Sequence, residues 1–298
     1  MVENMMCYQN FIPLPTTMTR KVAIQGIRGC FHDIAAHRFF SDEELELVQC
    51  DTFEEVFMNL SQDKETVALV AIENTIAGSL LHNYELLRDS GVTIVGEHKL
   101  RIQHSIMCLP EDNWADITEV NSHPVALMQC RAFLENHGGL KVVEVSDTAG
   151  AAADIYRKQL RGHAAICHKD AADIYGLKVL QEGIETNKHN FTRFLVLANQ
   201  EIAGKLRDIN TTNKASLVFS LPHEEGSLSA ILSILSFYKL NLTKIQSLPI
   251  IGKEWQYMFY TDVCFDNAKR LHQAINAITP LTRELKTLGI YREGEQTI

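Results

Sequence analysis

The residues Val67-Ala68-Leu69-Val70-Ala71-Ile72 are apolar without a break. A strand with one face in water alternates apolar and polar side chains. An unbroken run of this length instead reads as a strand covered on both faces, the situation in a parallel sheet with helices above and below. An α/β architecture follows. The run ends in Glu73-Asn74, then Thr75-Ile76-Ala77-Gly78-Ser79 and a helix through about Leu87. In such sheets ligands sit beyond the C-terminal ends of the strands. A carboxylate at a buried strand tip is costly without partners, so Glu73 and Asn74 are either site residues or caps of the local turn.

The rest of the chain fits that frame. A first strand, Lys21–Gln25, enters the turn Gly26-Ile27-Arg28-Gly29-Cys30-Phe31 and a helix from about Asp33 to Phe40. The glycines are spaced G-x-x-G rather than G-x-G-x-x-G, which argues against a dinucleotide site. The turn either aims backbone N–H groups at an anion or closes a tight βα connection. A strand near Leu45–Val48, a helix near Phe53–Leu60 and strands Thr93–Glu97 and Ile102–Cys108 complete a first lobe. A second α/β unit begins near Ile117. Ser122 and His123 precede Pro124, a residue suited to the first helical position, and the helix Val125–Leu134 turns Leu127, Cys130 and Leu134 inward with Gln129 on another face. Strand Lys141–Val145, the helix start Ser146-Asp147-Thr148, strand Ala164–Cys167 and helix Lys169–Tyr175 with Gly176 as its cap follow.

The chain returns through Leu177–Glu182 to Lys188-His189-Asn190-Phe191-Thr192-Arg193-Phe194, a polar stretch that runs into apolar Leu195-Val196-Leu197-Ala198. Two lobes in series with a final crossing enclose a cleft, a common site for small molecules. This order of elements can deliver Glu73, Asn74, Ser122, Gln129, Thr192 and Arg193 to it. Arg193 offers a planar fork suited to a carboxylate, and Thr192 a hydroxyl that gives or takes a hydrogen bond. The plainer alternative is a strand edge whose Arg and Thr face water. Glu201–Thr212 reads as a polar linker. Beyond it, strand Ala215–Leu221, helix Gly226–Tyr238, strands Leu242–Ile250 and Tyr257–Cys264, helix Ala268–Ile278 and strand Leu285–Tyr291 give a ferredoxin-like β-α-β-β-α-β order.

The formal net charge of -9 argues against a nucleic-acid binder. The seven cysteines are scattered and form no C-x-x-C pair, which fits reduced thiols in a cytoplasm and no zinc site. No apolar run approaches the ~20 residues of a membrane helix. Residues 1–19 lack the basic start and apolar core of a secretory signal and read as a mobile extension, with Met18 an alternative start. His32 and His37, and likewise His163 and His168, lack a supporting ligand pattern, so no metal is expected.

With these pieces in order the chain resembles prephenate dehydratase from Lys21 to about Tyr291. The likeness is carried by the glycine turn Gly26–Phe31, by Ile72-Glu73-Asn74 with Gly78-Ser79 and Leu86-Leu87, by Ser122-His123-Pro124 with Ala126-Leu127 and Gln129-Cys130, and by Asn190-Phe191-Thr192-Arg193-Phe194. The C-terminal part resembles an ACT regulatory domain, with Gly226-Ser227-Leu228 at the family's Gly-Ala-Leu site. Departures are Ala71 for proline, Thr75 for serine, Asn83 for threonine, and Cys30 and His32 for small hydroxyl residues. In the ACT part the family's Glu-Ser-Arg-Pro reads Gln246-Ser247-Leu248-Pro249.

The resemblance implies a two-lobed, periplasmic-binding-protein-like catalytic domain over residues 20–199, its lobes being 20–110 with 178–199 and 111–177. A linker over 200–212 and an ACT domain over 213–292 would follow. It implies a cytoplasmic enzyme without cofactor that converts prephenate to phenylpyruvate, with loss of water and carbon dioxide. Thr192, Glu73, Asn74, Ser122 and Gln129 would be catalytic, with Thr192 serving the departing hydroxyl and Glu73 its partner. Arg193 would take a substrate carboxylate, with Phe194, Asn190, Gly78, Ser79 and Gly29 also binding substrate. L-Phenylalanine would bind at Gly226, Ser227, Leu228, Gln246, Ser247 and Leu248 at a subunit interface of a homodimer or homotetramer. The alternatives are an arogenate dehydratase and a non-catalytic amino-acid-binding regulatory protein.

Overall fold

The structure, a computed structural model, describes residues 19–206 and 208–297. The extension expected over residues 1–19 therefore lies outside it, apart from Thr19. A first lobe is built from β1 (Thr19–Gln25), α1 (Phe31–Phe39), β2 (Glu44–Cys50), α2 (Phe53–Gln62), β3 (Val67–Asn74), β4 (Gly78–Ser79), α3 (Leu81–Asp89) and β5 (Thr93–Arg101). The second lobe holds β6 (Ser105–Cys108), β7 (Glu119–Ser122), α4 (Pro124–Gln129), α5 (Arg131–Asn136), β8 (Lys141–Glu144), α6 (Thr148–Lys158), β9 (His163–Cys167), α7 (Asp170–Tyr175) and β10 (Lys178–Glu182). β11 (Phe191–Ala198) crosses back into the first sheet and α8 (Gln200–Leu206) follows. The C-terminal βαββαβ domain runs β12 (Lys214–Ser220), α9 (Ser227–Phe237), β13 (Asn241–Pro249), β14 (Tyr257–Cys264), α10 (Ala268–Ile278) and β15 (Glu284–Tyr291), with β16 (Gln296–Thr297) after it.

The unbroken apolar run is a fully buried strand. Val67 to Ile72 of β3 are at most 5% exposed, between parallel β1 and antiparallel β11. One layer, carrying Ile34, Ala35 and Ala36 of α1 and Ile202 and Ala203 of α8, packs on Val67, Leu69, Ala71, Phe194 and Val196. The opposite face, with Val70, Ile72 and Leu195, packs on Val56 and Leu60 of α2, Tyr84 and Leu87 of α3, and the C-terminal domain's Val218, Leu248 and Tyr260. That domain's own helices close the far side of its sheet.

The second lobe's sheet has the order β10-β6-β9-β7-β8. The first lobe's sheet runs β2-β1-β3-β11-β5 and continues through β15-β12-β14-β13 into the C-terminal domain. At the junction Gly289 of β15 faces Ile94 of β5, and a Cβ on Gly289 would stand 2.4 Å from the Ile94 carbonyl oxygen. Only glycine permits that approach. Among the described residues no helix is long and apolar enough to cross a membrane.

Three expectations change. The lobe bounds 20–110 with 178–199 and 111–177 put the strand expected over Ile102–Cys108 and the return through Glu182 in the first lobe, yet β6 and β10 pair with each other, and β6 with β9, in the second lobe's sheet. The helix expected over Val125–Leu134 is broken at Cys130 (φ -100°, ψ 14°) into α4 and α5. The polar stretch expected to be a linker forms α8, because Ile202 and Ala203 stand on one side of it and bury against the first lobe.

Candidate active site

Between the lobes lies a cavity of about 270 Å³. The first lobe lines it with Gln25, Cys30, Phe31, His32, Asn74, Thr192 and Phe194, and the second with His123, Gln129, Ser146, Asp147 and Thr148. At its centre β3 and β11 bring Asn74 and Thr192 side by side. Asn74 Nδ2 donates to Thr192 Oγ1 at 3.0 Å, to Asn190 Oδ1 at 2.7 Å and to the Phe191 carbonyl at 3.1 Å. Its Oδ1 accepts the backbone N–H groups of Ile76 and Ala77 at 2.9 and 2.8 Å. Those two donors are main-chain groups, so the amide orientation is determined and its NH₂ must face Thr192. Thr192 Oγ1 is thereby an acceptor toward Asn74, and its own O–H is left for the cleft.

A β-bulge makes this pairing. Arg193 lies opposite Glu73 but Phe194 lies opposite Ala71, which leaves Ile72 as the extra residue on β3. Two-residue alternation would send Glu73 to the cleft with Ala71 and turn Asn74 away with Ile72. The bulge reverses both.

Glu73 and Arg193, both expected in the cleft, therefore point the other way, into the seam with the C-terminal domain. Arg193 Nε lies 2.8 Å from Glu73 Oε1, and its Nη1 donates to Asp262 Oδ2 at 2.6 Å and Glu97 Oε2 at 3.2 Å. Lys244 of β13 binds both Glu73 and Ser79. Lys214 bridges both Glu97 oxygens at 3.0 Å. Arg193 thus has its carboxylates supplied by the protein and points away from the cleft in which it was expected. The same holds for Glu73 as partner of Thr192, a place Asn74 takes instead.

Other expected residues divide. Gln129 lines the cleft, with Oε1 accepting from His104 Nε2 at 2.8 Å, and Phe194 lines it edge-on to His32. Asn190 is fully buried behind Asn74 and orients it. Ser122 is fully buried and donates to the Ile166 carbonyl at 2.5 Å, so it ties β7 to β9 rather than facing the cleft. Gly29 (φ +87°) gives its N–H to the Asp33 carboxylate at 2.6 Å and backs onto α7. This favours the tight-turn reading over an anion site. Gly78 lies exposed in β4 (φ +84°), and Ser79 belongs to the Lys244 contact.

Of the expected effector residues, Ser227 and Leu228 line a surface hollow of about 130 Å³ with Pro222, Trp255 and Tyr257. Gly226 (φ +79°) starts the α9 helix behind it. Ser247 is exposed and Gln246 half-buried on edge strand β13, whereas Leu248 is buried with Tyr84 and Tyr260 against the first lobe. Leu248 is thus a packing residue of the seam.

Sequence reasoning missed the cleft's neutral imidazoles and its acid. Burial pushes the His32 imidazole down to about 4, and its Nε2 accepts the Ala71 N–H at 3.3 Å. Burial also lowers His104, with the Gln129 hydrogen bond opposing it. Burial pushes the Cys30 thiol up to about 12, with Asp147 adding to it. Asp147, read from the sequence only as a helix-start signal, caps α6 and lines the cleft. Its burial raises it above the ordinary carboxylate range.

The fold and cleft define a two-lobed α/β protein with a largely neutral, hydrogen-bonding small-molecule site. A sequence profile of the prephenate dehydratase family matches residues 22–202. "Arogenate dehydratase 1" of Petunia hybrida is 35% identical over 291 residues, 92% of this chain and 67% of that protein. The solved prephenate dehydratase of Arthrobacter aurescens in complex with L-Phe superposes with a TM-score of 0.81 at 24% identity, over 93% of this chain and 92% of that one. A structure described as a quorum-quenching acylase, GqqA, also gives 0.81, at 26% identity over 92% and 98%. The chain belongs to the prephenate dehydratase family.

Proposed function

We propose that the chain catalyses the aromatising dehydration and decarboxylation of a prephenate-type cyclohexadienol. Prephenate would give phenylpyruvate and arogenate would give phenylalanine, each with water and carbon dioxide. The observation that carries this is the Asn74–Thr192 pair. An amide NH₂ held on the threonine oxygen leaves the Oγ–H to hydrogen-bond the departing ring hydroxyl. The ring-carboxylate C–C bond breaks, its electrons enter the ring, the ring C–O bond breaks, and the hydroxyl leaves as water with a proton drawn from solvent. Phe194, Phe31 and Ile102 give the ring an apolar bed, and Gln129, Gln25 and His123 supply hydrogen bonds that orient the substrate. A hydrolytic reading is weaker. No cleft imidazole bonds a hydroxyl or thiol, as an activated nucleophile would need.

The C-terminal domain is proposed to sense phenylalanine at the hollow of Ser227 and Leu228 and to pair across subunits of a cytoplasmic homo-oligomer. Lys244 gives it a direct hold on Glu73, the neighbour of Asn74. The test is turnover of prephenate and of arogenate by the purified protein, each with and without phenylalanine. Product formation slowed by phenylalanine is expected. A protein that binds these compounds without turning either over would be a non-catalytic binding protein.

A further inference from the structure

We propose that Asp147 is the specificity residue of this cleft, receiving the α-ammonium group of an amino-acid substrate and so favouring arogenate over prephenate. The inference rests on the dehydratase reading above and deepens it. Among the described residues lining the cavity there is no lysine or arginine, and Asp147 is its one carboxylate. Arg193, the cation that would answer a substrate carboxylate, is taken up by Glu73, Glu97 and Asp262 outside the cleft.

Prephenate brings two carboxylates and no positive charge. In this cavity it would place like charge near Asp147 with no lysine or arginine in the lining to offset it. Arogenate brings the same two carboxylates with an ammonium. A carboxylate in a partly buried site favours a ligand that carries its counter-charge.

Position agrees with charge. In these substrates the leaving hydroxyl and the three-carbon side chain stand at opposite ends of the ring. With the hydroxyl at Thr192 on the first lobe, the side chain reaches the wall supplied by the second lobe, where Ser146-Asp147-Thr148 stand. Asp147 is built to stay there. Its Oδ1 accepts the Gly150 N–H at 2.6 Å, and a Cβ on Gly26 (φ +104°) would come within 3.1 Å of its Oδ2. Burial raises the acid and no lysine or arginine partner compensates, which leaves its charge to be matched by a ligand.

The experiment measures kcat/KM for arogenate and prephenate in the wild-type protein and in Asp147→Asn and Asp147→Ser. Both substitutions keep a helix-capping side chain, and a melting curve checks the fold. The wild-type protein is expected to prefer arogenate by at least about 10-fold, and both variants to lower the arogenate-to-prephenate ratio by about 10- to 100-fold. An unchanged ratio in folded variants, or a wild-type preference for prephenate, overturns the assignment of Asp147. Turnover of neither substrate by the wild-type protein overturns the dehydratase reading instead.

Discussion

Thr192 and Arg193 are adjacent on β11 and similarly buried, yet they belong to opposite kinds of environment. Thr192 faces a cleft of amides, neutral imidazoles and aromatic rings. Arg193 faces a seam where Arg193, Lys99, Lys214 and Lys244 interlock with Glu73, Glu97, Asp262 and Glu293. The seam joins segments from both domains, with Ser216 donating to Asp262 at 2.5 Å and lying 2.8 Å from the Tyr291 hydroxyl. A balanced, buried ion cluster contributes little net stability over an apolar one, but breaking it leaves uncompensated charge. The contrast teaches that one motif, three residues long, lines the cleft with one face and attaches the C-terminal domain with the other.

Substitutions at the two neighbours test that division most sharply. Arg193→Ala strands the carboxylates of Glu73, Glu97 and Asp262 and is expected to lower unfolding stability by about 3–5 kcal/mol. Thr192→Ala should leave the melting temperature within a few degrees of wild type and lower kcat by about 10²–10⁴. Denaturant unfolding and steady-state kinetics on both proteins check this. A stable Arg193→Ala protein with lost substrate affinity would return Arg193 to the cleft.

The pH dependence of stability tests the face of the sheet away from the seam. His32 at the cleft and His98 on β5 are each pushed by burial to about 4 from 6.5. The folded protein therefore holds fewer protons than the unfolded chain between those values. Their contribution is full above pH 6.5 and is lost as pH falls toward 4, on the order of 3 kcal/mol for a fully buried group. His32→Gln keeps an acceptor for the Ala71 N–H and should flatten this part of the curve. An unaltered slope would show that His32 does not titrate on unfolding.

Gly289→Ala places a methyl against the Ile94 carbonyl and is expected to cost about 1–3 kcal/mol by forcing β15 away from β5. Amide exchange should rise first along β5 and β15, and protection lost equally everywhere would argue against a local junction. The smallest change is expected at Lys244, a half-buried side chain. Lys244→Met should lower stability by about 1 kcal/mol and reduce the response of turnover to phenylalanine about five-fold or more. An unaltered response would disconnect that contact from regulation.

Much of this was legible locally. The apolar run 67–72 announced its own burial, Pro124 and the Asp147 cap marked helix starts, and the period of the C-terminal elements gave the βαββαβ order. The motifs also placed Asn74, Gln129 and Thr192 near one another. What misled was the same local logic carried one residue too far. The tip of a buried strand assigned Glu73 to the cleft together with Asn74, and the planar fork of Arg193 beside Thr192 suggested a ligand for a substrate carboxylate. Ser122 likewise looked like a free hydroxyl until Ile166 took it.

The chain's sequence by itself therefore determined which strands are buried and where helices begin, because those depend on neighbours a few residues apart, and the order of its elements implied which motifs meet. Only the tertiary structure decided which way the motif side chains point. The bulge at Ile72 arises from pairing with a strand more than a hundred residues away, and the partners that hold Arg193 come from β3, β5 and β14. Charge balance in a buried seam is a property of segments brought together, and no local pattern carries it.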